Sequence, residues 1–190
     1  NADIKSIPVT GSPPTPRQVL WPNPASVISL ATSYVKVPLL ETNPILPLFY
    51  SESEEEIQKK RYPFLLQLYF LNTRFKSIKE ALVNNNNVLD RSIYEDWYFA
   101  KKNMELGRIN EIEMKIYEDL LHNMLEELEE LPKKAPDVMV YLKGSFETVL
   151  NRIALRGREF EVDESLKEYY NFLWKDYDNW VKECYNASEV

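Results

Sequence analysis

The chain of 190 residues is 44% hydrophobic, 28% charged and 13% aromatic, the balance of one globular domain with a large core rather than of a disordered chain. A net charge of -7 speaks against a general nucleic-acid binder, and the single cysteine, Cys184, excludes an internal disulfide framework or a cysteine metal cluster. No apolar run approaches the roughly 20 residues a membrane helix needs, and no secretory leader opens the sequence, so a cytoplasmic protein without a membrane partner is expected.

Residues 1–47 hold nine of the 12 prolines and one glycine, Gly11, so regular helix is hard to sustain there. Ile4–Thr10 and Ser33–Pro38 read as strands, and the stretch between them, carrying Pro13, Pro14, Pro16, Pro22 and Pro24, cannot be helical. Asn43–Tyr50 reads as an extended apolar connection. The acidic run Ser51–Glu56 reads as a solvated loop or the first turn of a helix, where carboxylates suit the dipole.

From Arg61 to Val83 apolar residues recur at helical steps, among them Phe64, Leu65, Leu68, Leu71, Phe75, Ile78 and Leu82. Gln67 and Arg74 lie nearly two turns apart and share one side of this helix; taken alone, such polar residues are more often surface groups than ligands. Val88 and Leu89 form a short apolar run of the kind left by a buried strand, and Asp90, Arg91 and Ser92 arrive where it should end. Ligands bind at the carboxyl ends of strands in open α/β sheets, so an acid and an arginine there suit chemistry. The competing reading is a structural Asp90–Arg91 ion pair with Ser92 as the cap of the next helix.

A further helix is expected over Asn110–Leu131, ended by Pro132. It contains the lone histidine, His122, which has no metal-ligand partner at helical spacing and reads as structural. Asp137–Leu142 is the clearest strand, a continuous apolar run, and Ser145 is placed to cap a helix over Phe146–Leu155. The last predicted helix, Glu164–Tyr185, is crowded with aromatic residues. Strands alternating with helices indicate an α/β domain with a parallel sheet.

Arg152 and Arg156 sit four apart on one helical face and Arg158 follows across Gly157, three guanidiniums in seven residues of an acidic chain. Such a cluster repels itself unless an anion or carboxylates sit among it. A polyphosphate is one reading; a solvated helix end partnered by Glu159 and Glu161 is the other.

The segments NPILPLFY, RYPFLLQLYFLNTRFKSIKEAL, NNVLDRSIYED, MLEELEELPKKAPDVMVYL and SFETVLNRIALRGREFE together resemble the bacterial deoxyadenosine and deoxyguanosine kinases of the deoxynucleoside kinase family, over roughly residues 41–181. The resemblance implies a P-loop NTPase-like parallel sheet flanked by helices and phosphoryl transfer from ATP to the 5′-hydroxyl of a purine deoxynucleoside. It further implies a Mg2+ requirement and a homodimer or heterodimer built through helices. Carried over position by position, Gln67 matches the glutamine that reads the base edge, and Arg74 and Asp96 the pair that helps set base preference. Tyr50 and Glu161 match the residues on the sugar 3′-hydroxyl, Arg91 the arginine beside the 5′-hydroxyl, and Asp90 the acid linked to the metal. Arg152, Arg156 and Arg158 match the lid that closes over the donor phosphates. On this resemblance the catalytic set is Asp90, Arg91 and Arg156.

The departures fall on the donor side. Where the family has the glycine-rich loop GxxxxGKS/T, this chain offers Gly11, Ser12, Pro13, Pro14, Thr15, Pro16, Arg17 and Gln18. Arg17 keeps a positive charge, but the three prolines remove amide donors and Gln18 supplies no hydroxyl for a metal. The family's catalytic glutamate falls near Pro38 and Leu39, and the chain stops at Val190, about where the family continues into its last strand. The expectation is one domain over 1–190, with residues 1–40 an atypical donor-side segment and 41–181 the acceptor site and lid. Two alternatives stand beside an active kinase: a catalytically silent, deoxynucleoside-binding subunit of a heterodimer, and a segment 1–40 that is not the native family sequence.

Overall fold

A computed structural model of the chain describes residues 33–35, 43–83, 87–129 and 139–185. The expected strand Ile4–Thr10 and the degenerate loop residues Gly11 and Arg17 lie outside the described residues. Within them two short strands, β1 (Ser33–Val35) and β2 (Asn87–Leu89), pair in parallel with Tyr34 opposite Val88. The rest of the described chain is mainly helical. None of its helices is long and apolar enough to cross a membrane.

Asn43–Tyr50 is not an extended connection. It enters helix α1 (Leu46–Ser51), because the Asn43 side-chain oxygen accepts from the amides of Ile45 (2.8 Å) and Leu46 (3.0 Å), and Pro47 falls in the first turn, where its missing N–H costs nothing. The acidic run does start a helix, α2 (Glu54–Lys59): Ser53 caps it by accepting from Glu56 N, and three glutamates occupy its first turn.

Helix α3 (Tyr62–Ala81) follows Arg61, whose backbone is left-handed at φ 55°, and it buries Leu66, Gln67, Leu71, Arg74, Ser77 and Ala81 along one face. Gln67 and Arg74 are therefore core-facing and not surface groups. Helix α4 (Ile93–Glu105) is capped by Ser92, as the sequence suggests, and packs chiefly on α3. Helix α5 (Glu111–Glu129) opens with a reciprocal box in which Asn110 Oδ1 accepts from Glu113 N and Glu113 Oε2 accepts from Asn110 N. Leu71, Ile93, Trp97, Ala100, Ile109, Met114, Tyr117 and Leu121 form the main core between α3, α4 and α5. His122 is on the exposed side of α5, 3.1 Å from Glu126.

The predicted strand Asp137–Leu142 is not observed over its described part: residues 139–142 run without a strand partner among the described residues, and Val140 and Leu142 are exposed. An apolar run forms a buried strand only where neighbours cover both faces, and here the segment is held by side chains instead, Tyr141 and Lys143 both reaching Asp178. Helix α6 (Phe146–Arg156) begins at Ser145, which accepts from Thr148 N at 3.2 Å, and ends at Gly157 with φ 71°, a conformation glycine adopts without a Cβ penalty. A 3-10 turn over Glu159–Glu161 follows.

The expected single helix Glu164–Tyr185 is two, α7 (Leu166–Trp174) and α8 (Tyr177–Cys184). No proline or glycine separates them. The break falls at Lys175 and Asp176, where Asp176 binds Lys102 of α4 at 2.8 Å, and it lets the two aromatic faces meet different partners. Tyr169 packs on Phe49 and Tyr50, whereas Tyr177 and Trp180 pack on Tyr98.

Candidate functional site

Helices α3 and α4 bring Arg74 and Asp96 together as a two-bond pair, Nε to Oδ2 at 3.0 Å and Nη2 to Oδ1 at 3.3 Å, with side chains only 2% and 4% exposed. The remaining Arg74 nitrogen, Nη1, donates to the backbone carbonyl of Asp90, so one guanidinium ties α3 to both α4 and the turn after β2. Burial pushes the Asp96 carboxyl up from its ordinary range and the Arg74 guanidinium opposes this, so the pair is stable only as a unit. Two turns along α3, Gln67 is buried and its Oε1 has no hydrogen-bond partner among the described residues. The Tyr117 hydroxyl, held by α5 close enough to feel Asp96 and Arg74, is also buried without one. A buried acceptor left unsatisfied costs about 1–3 kcal/mol, so such atoms mark places where a ligand or water completes the set.

The turn after β2 holds Asp90, Arg91 and Ser92. Asp90 is exposed at the bend. Arg91 has a left-handed backbone, φ 67°, a conformation unusual for a non-glycine residue and common where a side chain must be aimed. The Asp90–Arg91 ion pair of the competing reading is not what forms. Arg91 Nε instead faces Glu95 Oε2 at 4.0 Å, one helical turn on, and its guanidinium lies 5.1 Å from the centre of the Phe99 ring. The Arg91 side chain is half exposed.

Glu161 is buried and binds two arginines at once, Arg158 Nη1 at 2.9 Å and Arg156 Nη1 at 3.3 Å. Of the two sequence readings of this cluster, the described chain thus displays the carboxylate-partnered one, although Glu161 and not Glu159 is the partner. Arg152 makes no ion pair among the described residues and, with Thr148, Asn151, Leu155 and Arg156, lines an open groove of about 640 Å³ along α6. Beside Glu161, Tyr50 stacks on Phe160 with centroids 6.1 Å apart and packs on Tyr170 at 6.2 Å, and the Tyr170 hydroxyl donates to the Glu161 carbonyl at 3.0 Å. Burial raises the Tyr50 pKa well above the ordinary phenol value, the neighbouring Tyr169, Tyr170 and Glu161 add to it, and Arg91 opposes.

That last interaction shows that Arg91 lies within electrostatic reach of Tyr50. Arg91 also senses Asp96 and Asp90, so Tyr50, Arg74, Asp90, Arg91, Asp96, Arg156, Arg158 and Glu161 form one electrostatically connected region. Gln67 joins it through its shared face of α3. Glu95, Phe99, Phe160, Tyr170 and Tyr177 are not among the site residues expected from the sequence. The Arg91/Glu95 spacing of one helical turn was a visible signal for the first; for the aromatic residues none was present.

Among the described residues no group of three or more His, Cys, Asp or Glu gathers as a metal-binding cluster. A magnesium ion held through phosphates and water needs only one or two carboxylates, and Asp90, exposed at the end of β2, fits that demand.

The family model of the deoxynucleoside kinases matches residues 29–190. The chain is 49% identical over 146 residues to a deoxyguanosine kinase of Lactobacillus johnsonii, covering 75% of this chain and 62% of that protein. It is 46% identical over 152 residues to a deoxyadenosine kinase of Lactobacillus acidophilus, covering 78% and 67%. A structure of deoxyadenosine kinase from M. mycoides with bound dATP superposes with a TM-score of 0.66 at 28% identity, over 85% of this chain and 77% of that one. The chain thus spans about three-fifths of the length of the first of these relatives.

Proposed function

The chain belongs to the deoxynucleoside kinase family, and on that premise we propose that it transfers a phosphoryl group from ATP to the 5′-hydroxyl of a purine deoxynucleoside. The observation that carries this reading is the dry, doubly bonded Arg74–Asp96 pair on the same helix face as a buried Gln67 oxygen that lacks a partner. A purine edge offers the N–H group that oxygen needs, and a pocket whose polar atoms are satisfied only by the right base rejects others strongly. The relatives' names, deoxyguanosine and deoxyadenosine kinase, support a purine.

In this reading Gln67 holds the base edge with Arg74 and Asp96 beside it, and Tyr50 and Glu161 hold the sugar 3′-hydroxyl. Arg91, half exposed and aimed by its left-handed backbone, stands at the 5′-hydroxyl, where it stabilises the charge that develops on the transferred group. Arg156 and Arg158 exchange Glu161 for donor phosphate oxygens, and Arg152 joins them from the same helix. Asp90 would hold Mg2+, which supplies further neutralisation of the phosphates when bound. The reading carries with it a single domain over 1–190, a P-loop type parallel sheet containing β1 and β2, and a cytoplasmic location. It also carries a dimer built through helices, which the exposed stripe Ile112, Ile116 and Leu120 on α5 supports.

A coupled assay with deoxyadenosine, deoxyguanosine and ATP tests the activity. Turnover that disappears in Arg91→Ala is the expected result. Calorimetric binding of the deoxynucleoside with neither ATP binding nor turnover would replace the kinase by the silent binding subunit, and absence of both bindings would end the nucleoside reading. Sedimentation at micromolar concentration tests the dimer.

A further inference from the structure

The C-terminal helix α8 touches the Arg91 turn at two points, and neither contact is explained by packing alone. Tyr177, at its start, lies close enough to the Glu95 carboxylate, the group that faces Arg91 Nε, for each to shift the other's pKa. The same Tyr177 ring stacks on Phe99, 6.2 Å between centroids and 22° between planes, and Phe99 is the ring beneath the Arg91 guanidinium. Both supports of Arg91, the carboxylate at its edge and the ring at its face, are thus backed by one side chain. At the other end of α8, the Tyr185 hydroxyl bonds the Ser92 hydroxyl, the residue that follows Arg91 and caps α4. Tyr177, at the start of α8, and Tyr185, just past its end, thus both reach the segment that holds Arg91.

The helix is itself anchored away from this contact. Val181 is buried, Trp180 packs on Tyr98, and Asp178 holds Tyr141 and Lys143. An anchored element that grips a residue with a left-handed backbone is what over-determines such a conformation, since the conformation itself disfavours an arginine. The burial of Glu95, which raises its carboxyl pKa against the opposing pull of Arg91 and Tyr177, fits a group held for geometry in a semi-enclosed place.

We propose that α8 clasps the Asp90–Ser92 turn, with Tyr177 acting through Glu95 and Phe99 and Tyr185 acting through Ser92 as positioning residues that aim the Arg91 guanidinium. For its effect on turnover the inference rests on the kinase reading above; the geometry of Arg91 does not. Positioning support of this kind appears in the rate and not in substrate affinity, because the misplaced group is needed most in the transition state.

The test is Tyr177→Phe, which keeps the ring stack and removes only the hydroxyl, beside Glu95→Gln and the double variant, all in the full chain. In steady-state assays with a purine deoxynucleoside and ATP, kcat is expected to fall about tenfold in each single variant with both KM values within about twofold, and the double variant to fall no further than the worse single. Glu183→Ala, on the exposed side of the same helix, leaves kcat unchanged. Independently of turnover, the Arg91 Nε–H resonance, assigned by its loss in Arg91→Ala, should shift or broaden in Tyr177→Phe. An unchanged resonance, an unchanged kcat, an equal change in KM, or an equal loss in Glu183→Ala overturns the clasp. A parent with no turnover but a displaced resonance in Tyr177→Phe leaves the clasp standing and removes the kinase reading.

Discussion

The same side chain, arginine, is used in two opposite ways on the two sides of this molecule. Arg74 is 2% exposed and bound through three nitrogens to Asp96 and the Asp90 carbonyl, inside the contact between α3 and α4. Arg156, 45% exposed, sits at the end of α6, a helix without a single buried residue, and reaches the body through Glu161. A buried guanidinium with fixed bonds cannot move without leaving charges uncompensated, which suits recognition; an exposed one exchanges anions cheaply, which suits a lid. Stability and activity should therefore separate by region: substitutions on the α3–α4 side unfold the protein, and substitutions on the α6 side spare the fold.

Arg91, at the junction of the two, gives the largest effect. On the kinase reading, Arg91→Ala should lower turnover by about a thousandfold or more, with an unchanged melting temperature because its side chain is half exposed. A comparable loss of stability would place Arg91 with the buried side and break the comparison. Next comes Asp96→Ala, which strands Arg74 in the core and should cost about 3–4 kcal/mol, read from urea unfolding. A cost under about 1 kcal/mol would show that water reaches the pair and that the α3–α4 side is not dry.

Arg158→Ala, at the other arginine on Glu161, sharpens the contrast. It should slow turnover about tenfold and raise the KM for ATP while moving stability by less than about 1 kcal/mol. The smallest effect concerns Arg61 and Glu113, which join the start of α3 to α5. The hydrogen bond from Arg61 holds the Glu113 carboxyl below its usual range. That stability is present above the ordinary glutamate pKa of about 4.3 and is lost as pH falls through the folded value. Glu113→Gln should cost about 1 kcal/mol near neutrality and flatten the acid limb of the stability curve below about pH 4. An acid limb identical to the parent's would show that the pair does not contribute.

Much of this was legible in the sequence where the signal is local. Helix α3 follows from the recurrence of Leu68, Leu71, Phe75 and Ile78, and the caps Ser53, Ser92 and Ser145 lie where short hydroxyl side chains precede helical spacing. Of the strand expected over Asp137–Leu142, the described residues 139–142 show no strand, because an apolar run says nothing of who covers it, and they are held instead by Asp178, some 40 positions away. The break between α7 and α8 was equally invisible, since its partner, Lys102, comes from another helix.

By itself, then, the sequence determined where helices start, which charged and amide side chains are candidates, and which family's motifs they match, because each of these depends on spacing along the backbone. Only the tertiary structure decided that Gln67 and Arg74 face inward, that Arg91 meets Glu95 instead of Asp90, and that Glu161 collects Arg156 and Arg158. Those outcomes turn on which distant segments exclude water from a given side chain, and burial is a property of the packed chain as a whole.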